Sequence, residues 1–387
     1  MKKLLTLAML GGLFAATTLQ AQVNIYISGS TAFRSNAYRA ITNLYGANLT
    51  GQNPGGVGAN DSGSSQVTLQ GTIPSLYSTQ TVTIYLSWNG SVQGTHNLVN
   101  NDNISFLTND FSILSDTNLI THTPDLAFSD VFQITTPFNA TALVDTNVAV
   151  QPFCWARGVN ASTNITDITM QQIQECWSVG TMELSYFTGK SSDDTTNVYF
   201  TGRNKDSGSR LTVASDVFVS GTPSIFANTN GIWFKMATNT IANNVSYGPG
   251  FSSGSQEALA LTAPANGGGL GYLGYSDART VVTGGGQIIN YNGALPFNGY
   301  SANVPLVGNG AQLSNTPDFT PIIKGQYSLW AYEHLFMRSG LTGNIPAFYA
   351  AVVPAIDSDI ATATPVTAIR LSQMLVARPA DGGTIHP

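Results

Sequence analysis

The strongest constraint on the fold is a change of period that recurs along the chain: short strand-like runs end in glycine and serine and pass into helical spacing. Val23 to Ile27 read as a strand and the loop "ISGSTAF" (Ile27 to Phe33) follows. From there Phe33, Ala37, Ile41 and Leu44 recur at helical spacing. In "TVTIYLSWNGSVQG" Val82, Ile84 and Leu86 alternate before a second Gly-Ser loop at Gly90 and Ser91, and a third run, "DLAFSDV", ends on Ser129 and Asp130. Later, "VYFTGRNKDSGSRLTVASDVF" repeats strand, loop and helix. The stretch "GFSSGSQEALALTAPANGGGLGYLGYSDA" gives a capped helix, a Gly-rich turn and a strand. Strands that alternate with helices build an α/β protein. No fixed-period repeat is visible.

The first 21 residues have the form of a secretory leader: Met1-Lys2-Lys3, an apolar stretch from Leu4 to Ala16, and Leu19-Gln20-Ala21 with a small residue at the expected cut. No Cys sits at that cut, so no lipid anchor is expected, and no later apolar run is long enough to span a bilayer. The expectation is a periplasmic or secreted protein with no membrane insertion after leader removal. The formal charge is −6, and losing Lys2 and Lys3 makes it more negative by two. An acidic surface argues against nucleic acid as a partner. Charged residues make up only 9% of the chain, so Asn, Thr, Ser and Gly must cover much of its surface.

Cys154 and Cys176 are the only cysteines. In an oxidising compartment one pair is expected to close a disulfide, with two buried free thiols as the other reading. His96, His122, His334 and His386 are scattered, so neither a metal nor any cofactor is expected.

Without residues 1–21 the chain is still longer than one core usually supports, which favours two domains. The extended segment "TALVDTNVAVQPF" (Thr141 to Phe153) would carry the chain into a second lobe. "SLWAYEHLFMRSG" (Ser328 to Gly340) is read as a helix returning to the first. The Gly/Asn/Ser-rich stretch from Asn48 to Ser65 reads as a surface excursion.

The loops decide the chemistry. Glycine lets backbone approach a ligand, hydroxyls donate hydrogen bonds, and a helix start offers unpaired N–H groups, so "ISGSTAF" is suited to an anion. A P-loop would need a lysine after Gly29 and a dinucleotide fingerprint would need three glycines; both are absent. "GFSSG" (Gly250 to Gly254) matches a nucleophile elbow formally, with Ser252 central, but follows no convincing strand. In "GRNKDSGSR", Arg203 precedes Ser207, Gly208 and Ser209 at the mouth of a helix, which puts a bidentate donor fork beside hydroxyls and amides. Arg203 pairing with Asp206 is the alternative, as a helix-capping role is for Asp130.

Five pieces in order, "ISGSTAF", "NGSVQG", "AFSDV", "RNKDSGS" and "GGLGYLGYSDA", give a chain that resembles the periplasmic phosphate-binding proteins of ABC uptake systems. The resemblance implies a type II periplasmic-binding-protein fold: two α/β lobes, each a mixed sheet flanked by helices, with the ligand in the cleft between them. Lobe I would comprise 22–148 and 328–387, and lobe II 149–327. It implies that Thr31, the Ala32 amide and Ser91 bind inorganic phosphate or a related oxyanion from the first lobe, and Arg203, Ser207, Gly208 and Ser209 from the second. Asp130 would be the single acceptor, reading a proton that hydrogen phosphate carries and sulfate lacks. An ABC permease is the implied partner, and no catalysis is expected. Lys205 and Asp206 stand where the family has an acidic residue and a glycine, Ser209 stands for threonine, and Ala32 for a bulky residue. An extracellular surface or matrix protein that keeps the fold for adhesion or scavenging is the second reading, and a phosphate-ester hydrolase the third.

Overall fold

The computed structural model describes residues 22–112, 117–218, 233–234, 247–248, 250–263, 269–299 and 313–387, so the expected leader at 1–21 lies outside the described residues. In chain order, β1 (Val23–Gly29), α1 (Arg34–Tyr45), β2 (Leu49–Asn53), β3 (Gln66–Thr72), β4 (Thr81–Ser87) and α2 (Ser91–Asn100) come first. A small hairpin, β5 (Ile104–Leu107) with β6 (Leu119–His122), precedes β7 (Leu126–Ser129) and the long β8 (Val144–Arg157). The second half holds β9 (Asp167–Ile168), α3 (Met170–Val179), β10 (Thr181–Glu183), β11 (Asn197–Phe200) and α4 (Gly208–Phe218). The short pair β12 (Trp233–Phe234) and β13 (Tyr247–Gly248) precedes α5 (Gly254–Thr262), β14 (Gly269–Gly274), α6 (Tyr275–Thr283) and β15 (Gln287–Tyr291). Last come β16 (Trp330–Met337) and α7 (Asn344–Thr362).

Among the described residues twelve strands form one mixed sheet, ordered β10-β11-β14-β8-β16-β7-β1-β4-β3-β2, with β15 branching from β8 and β9 pairing with β15. β1 runs parallel to both β4 and β7, so the loops after all three emerge along one edge. In an open α/β sheet that edge, at the carboxyl ends of parallel strands, is where ligands bind. β8 serves both halves: Val144 to Pro152 pairs with β16, and Phe153 to Arg157 pairs with β14.

Two apolar cores lie on either side of this changeover. The first gathers Ile25, Ile27, Ile84 and Phe128 with Ile41 of α1 and Val352 of α7. The second gathers Trp155, Tyr272, Ile289, Val213 and Ile173. Val148 and Ala149 belong to the first core and Val150 to the second, so the core changes within one strand.

Four expectations need correction. Ser328 to Gly340 is not a helix: Trp330–Met337 is strand β16, and all eight residues are buried. A strand wedged between β7 and β8 has both faces covered and loses the period-2 signature, so a run that is apolar but for the adjacent Glu333 and His334 imitates a helix. Part of the Asn48 to Ser65 stretch is ordered as β2, an edge strand on β3. Residues beyond α7 do not all return to the first core: Ala368 joins it, but Val366, Ile369, Leu371, Met374, Val376 and Ile385 pack on the second. Arg378 stacks 3.8 Å over Trp330, and Asp381 accepts hydrogen bonds from the Phe132 amide and the Thr135 hydroxyl.

Finally, Cys154 and Cys176 are free. Cys154 sits inside β8 opposite Leu273, and the Cys176 thiol turns back to donate to Ile173 O within α3. Each sulfur fills core space as a small apolar group, and burial pushes both thiols well above their ordinary pKa. Reductant should therefore leave the thermal midpoint unchanged, and titration of the denatured, non-reduced protein should count two thiols. Finding none would restore the disulfide.

Candidate functional site

The loops after β1, β4 and β7 meet the start of α4, and their Ala32, Val92 and Val131 join Leu211 and Val213 in the second core. After β1 the chain turns sharply: the Ser30 amide donates to Phe128 O, and the Ser30 hydroxyl accepts from the Phe33 amide just ahead of α1. Thr31 and Ala32 lie buried in this turn. After β4, Gly90 has φ 102°, a conformation that side chains rarely adopt, and a Cβ there would collide with Asp206 O. Through that close approach the Val92 amide, at the start of α2, donates to Asp206 O at 3.1 Å.

Asp130, at the end of β7, is only 1% exposed. Its carboxylate receives the Ser91 hydroxyl on Oδ1 and the Ser209 hydroxyl on Oδ2, the latter at 3.1 Å. Its own carbonyl accepts from Thr212 Oγ1. Hydroxyls from α2 and from α4 thus meet on one acid. Burial raises the Asp130 pKa, and Ser91, Arg203 and Ser209 oppose that rise. Gly208 lies so close that a Cβ would strike Asp130 Oδ1, which explains glycine there. The reading of Asp130 as a helix cap is set aside, because α2 and α4 both open elsewhere.

Arg203 is 1% exposed and held through its Nε and Nη2. Its Nη2 donates to Thr31 Oγ1 at 2.9 Å and to Ser252 O at 3.0 Å, and its Nε donates to Phe251 O at 3.1 Å. Its amide donates to the Tyr272 hydroxyl. It does not pair with Asp206. Lys205 takes that partner at 3.3 Å, and with its side chain 74% exposed it points outward rather than into the site. Ser207 is buried and its hydroxyl accepts from the Arg210 amide, a local cap for α4. The structure thus brings Thr31, Ser91, Asp130, Arg203, Gly208 and Ser209 into one buried cluster, with Ala32 and Ser207 in the same loops.

Reading the sequence missed the support beneath Arg203. Glu257 of α5 is completely buried, holds the Thr201 hydroxyl at 2.9 Å, and faces Arg203. Burial raises its pKa to about 8, against the pull of Arg203 and Thr201. Asp277 of α6 stands near Arg203 as well, with its pKa raised by burial and lowered by Arg34 and Arg203. Glu333, buried in β16, reaches toward Ser30 Oγ at 3.5 Å, and burial beside Asp130 holds its pKa well above the ordinary carboxylate range. The Phe251 and Ser252 carbonyls come from the "GFSSG" loop, whose use is to clamp an arginine rather than to present a nucleophile. Among the described residues no group of three or more His, Cys, Asp or Glu could hold a metal, and no helix is long and apolar enough to cross a membrane.

No protein-family model matches the chain, and no curated protein matches it. Solved structures do. One described as a phosphate ABC transporter substrate-binding protein with bound phosphate, from Clostridium perfringens, matches with a TM-score of 0.51 at 11% identity, covering 90% of this chain and 99% of that one. An ABC-type phosphate transport receptor from Vibrio cholerae matches with a TM-score of 0.47 at 12% identity, covering 85% and 93%. The first match shows that the chain has the fold of a periplasmic binding protein.

The Glu257 environment gives a pH signature. Between the ordinary value of 4.5 and about 8 the folded protein holds a proton that the unfolded chain releases, so stability falls as pH rises through that window. Glu257→Gln should melt at the same temperature as the parent at pH 5 and at least about 2 °C higher at pH 8. Equal melting at both pH values would show that Glu257 is ionised in the folded state.

Proposed function

We propose that this protein is an exported binding protein that captures a tetrahedral oxyanion of the phosphate type between two lobes for ABC-type uptake, without turning it over. The observation that carries the reading is the buried Asp130 carboxylate, held by hydroxyls from both α2 and α4 within the Arg203 and Thr31 loops. The bound phosphate of the Clostridium perfringens protein, which has this fold, supports the same ligand class.

The proposed contacts are hydroxyls of Thr31, Ser91, Ser207 and Ser209, amides of Ala32 and Gly208, and the Arg203 fork. In this reading the mutual hydrogen bonds of Thr31, Arg203, Ser91 and Ser209 are exchanged for bonds to the anion. Asp130 would accept the proton of hydrogen phosphate, whereas sulfate would set lone pairs against it. The proposed lobes are 22–148 with the return from 328, and 149–327. Their hinge would lie where β8 changes partner between Pro152 and Phe153. The C-terminal residues that pack on the second core would cross that hinge.

Calorimetry tests the reading. Phosphate should bind and sulfate should bind at least tenfold more weakly. Asp130→Asn should lose about tenfold or more in phosphate affinity, the range for a hydrogen bond to a charged group, and should narrow the gap to sulfate, because an amide can donate to either anion. Unchanged affinity and unchanged preference in Asp130→Asn would remove Asp130 as the selectivity element.

A further inference from the structure

The anion loops leave Arg34 unexplained. It opens α1 two residues after Ala32 and is 7% exposed, yet its guanidinium makes no hydrogen bond or ion pair with any described residue. No nitrogen of its guanidinium is sealed in the core without a partner, so the fork opens on accessible space. Arg34 lines a cavity of about 300 Å³ whose wall also includes Thr31, Ala32, Ser62, Ser255 and Asp277. That volume is at the lower end for small-ligand sites.

The cavity shares its wall with the proposed oxyanion site. Thr31 faces both, since its hydroxyl meets Arg203. A Cβ added to Gly254 would collide with Asp277 and lie 3.5 Å from Arg203 Nη1, so Asp277 flanks the same arginine. Asp277, half-buried, has no hydrogen bond to its carboxylate from any described residue; Arg34 and Arg203 act on it only through their charge. Ala32 contributes only a methyl group to the cavity wall.

The cavity therefore offers a donor fork and an acceptor of opposite charge, neither of which makes a side-chain hydrogen bond to a described residue, with serine hydroxyls around them. A second anionic group would satisfy Arg34 and repel Asp277; an alkyl group would satisfy neither. A hydroxyl both donates and accepts, and adds no charge. We propose that the ligand is the phosphate monoester of a small polyol, its phosphoryl group held by the Arg203 and Asp130 loops and its hydroxylated substituent in this cavity, donating to Asp277 and accepting from Arg34. This inference rests on the oxyanion reading above and narrows its substrate class. One proton is still needed between Asp130 and a phosphoryl oxygen, and it is supplied by the ester monoanion or by Asp130, whose pKa burial raises.

The test is calorimetry on the full-length protein with inorganic phosphate, glycerol 3-phosphate and ethyl phosphate. Glycerol 3-phosphate should bind at least tenfold tighter than either of the others. Ser62→Trp, which fills the cavity from a loop, and Arg34→Met, which removes the donor fork, should each cost glycerol 3-phosphate at least tenfold while leaving inorganic phosphate within twofold. Phosphate binding with no preference for glycerol 3-phosphate over ethyl phosphate overturns this inference and leaves the oxyanion reading standing. Indifference of glycerol 3-phosphate to both variants overturns the placement of the substituent. Binding of none of the three overturns both readings.

Discussion

Everything at the centre of this molecule depends on one carboxylate being kept out of water. Among the described residues no basic side chain bonds to Asp130; two hydroxyls, one from α2 and one from α4, provide its side-chain hydrogen bonds. Neutral donors satisfy a buried acid's oxygens without fixing its charge, which leaves the acid free to hold or release a proton. The same contacts tie α2 to α4. Any movement that separated α2 from α4 would strip Asp130 of half its donors and the Val92 amide of its partner, Asp206 O.

Arg203 is arranged the opposite way. Its Nε and Nη2 donate to the backbone carbonyls of Phe251 and Ser252 and to one hydroxyl, while Glu257 and Asp277 act on it through space. Carbonyls fix the fork's direction without neutralising it. A cation held this way keeps its field for whatever anion arrives, and partial protonation of Glu257 limits the opposing charge. The acidity of the whole chain need not defeat such a site, because short hydrogen bonds in a dry pocket outweigh a screened global field.

Local order was legible in the sequence where period and punctuation agreed. The strand, Gly-Ser loop and helix at Val23 to Tyr45 were readable because Ile25 and Ile27 alternate and Phe33, Ala37 and Ile41 do not. Arg203, Ser207, Gly208 and Ser209 stood out because they lie within seven consecutive residues. β16 was not legible: with both faces buried, it has no polar side to reveal its period. Glu257, Asp277, Glu333 and Arg34 were invisible for another reason. Each lies on an ordinary helix or strand and acquires its meaning only from a partner on another segment, which no local pattern encodes. The free cysteines belong to the same class, since a pair in one core is no nearer bonding than the elements that carry it allow.

The central claim is geometric: residues from four separate loops surround one oxyanion. Crystals grown with arsenate and measured at the arsenic absorption edge test it directly, since arsenic marks the anion's centre independently of any fitted model. The account predicts a single strong anomalous peak within hydrogen-bonding reach of Asp130, Ser91, Ser209 and Arg203. A peak on the protein surface, or none in that cluster, would contradict it.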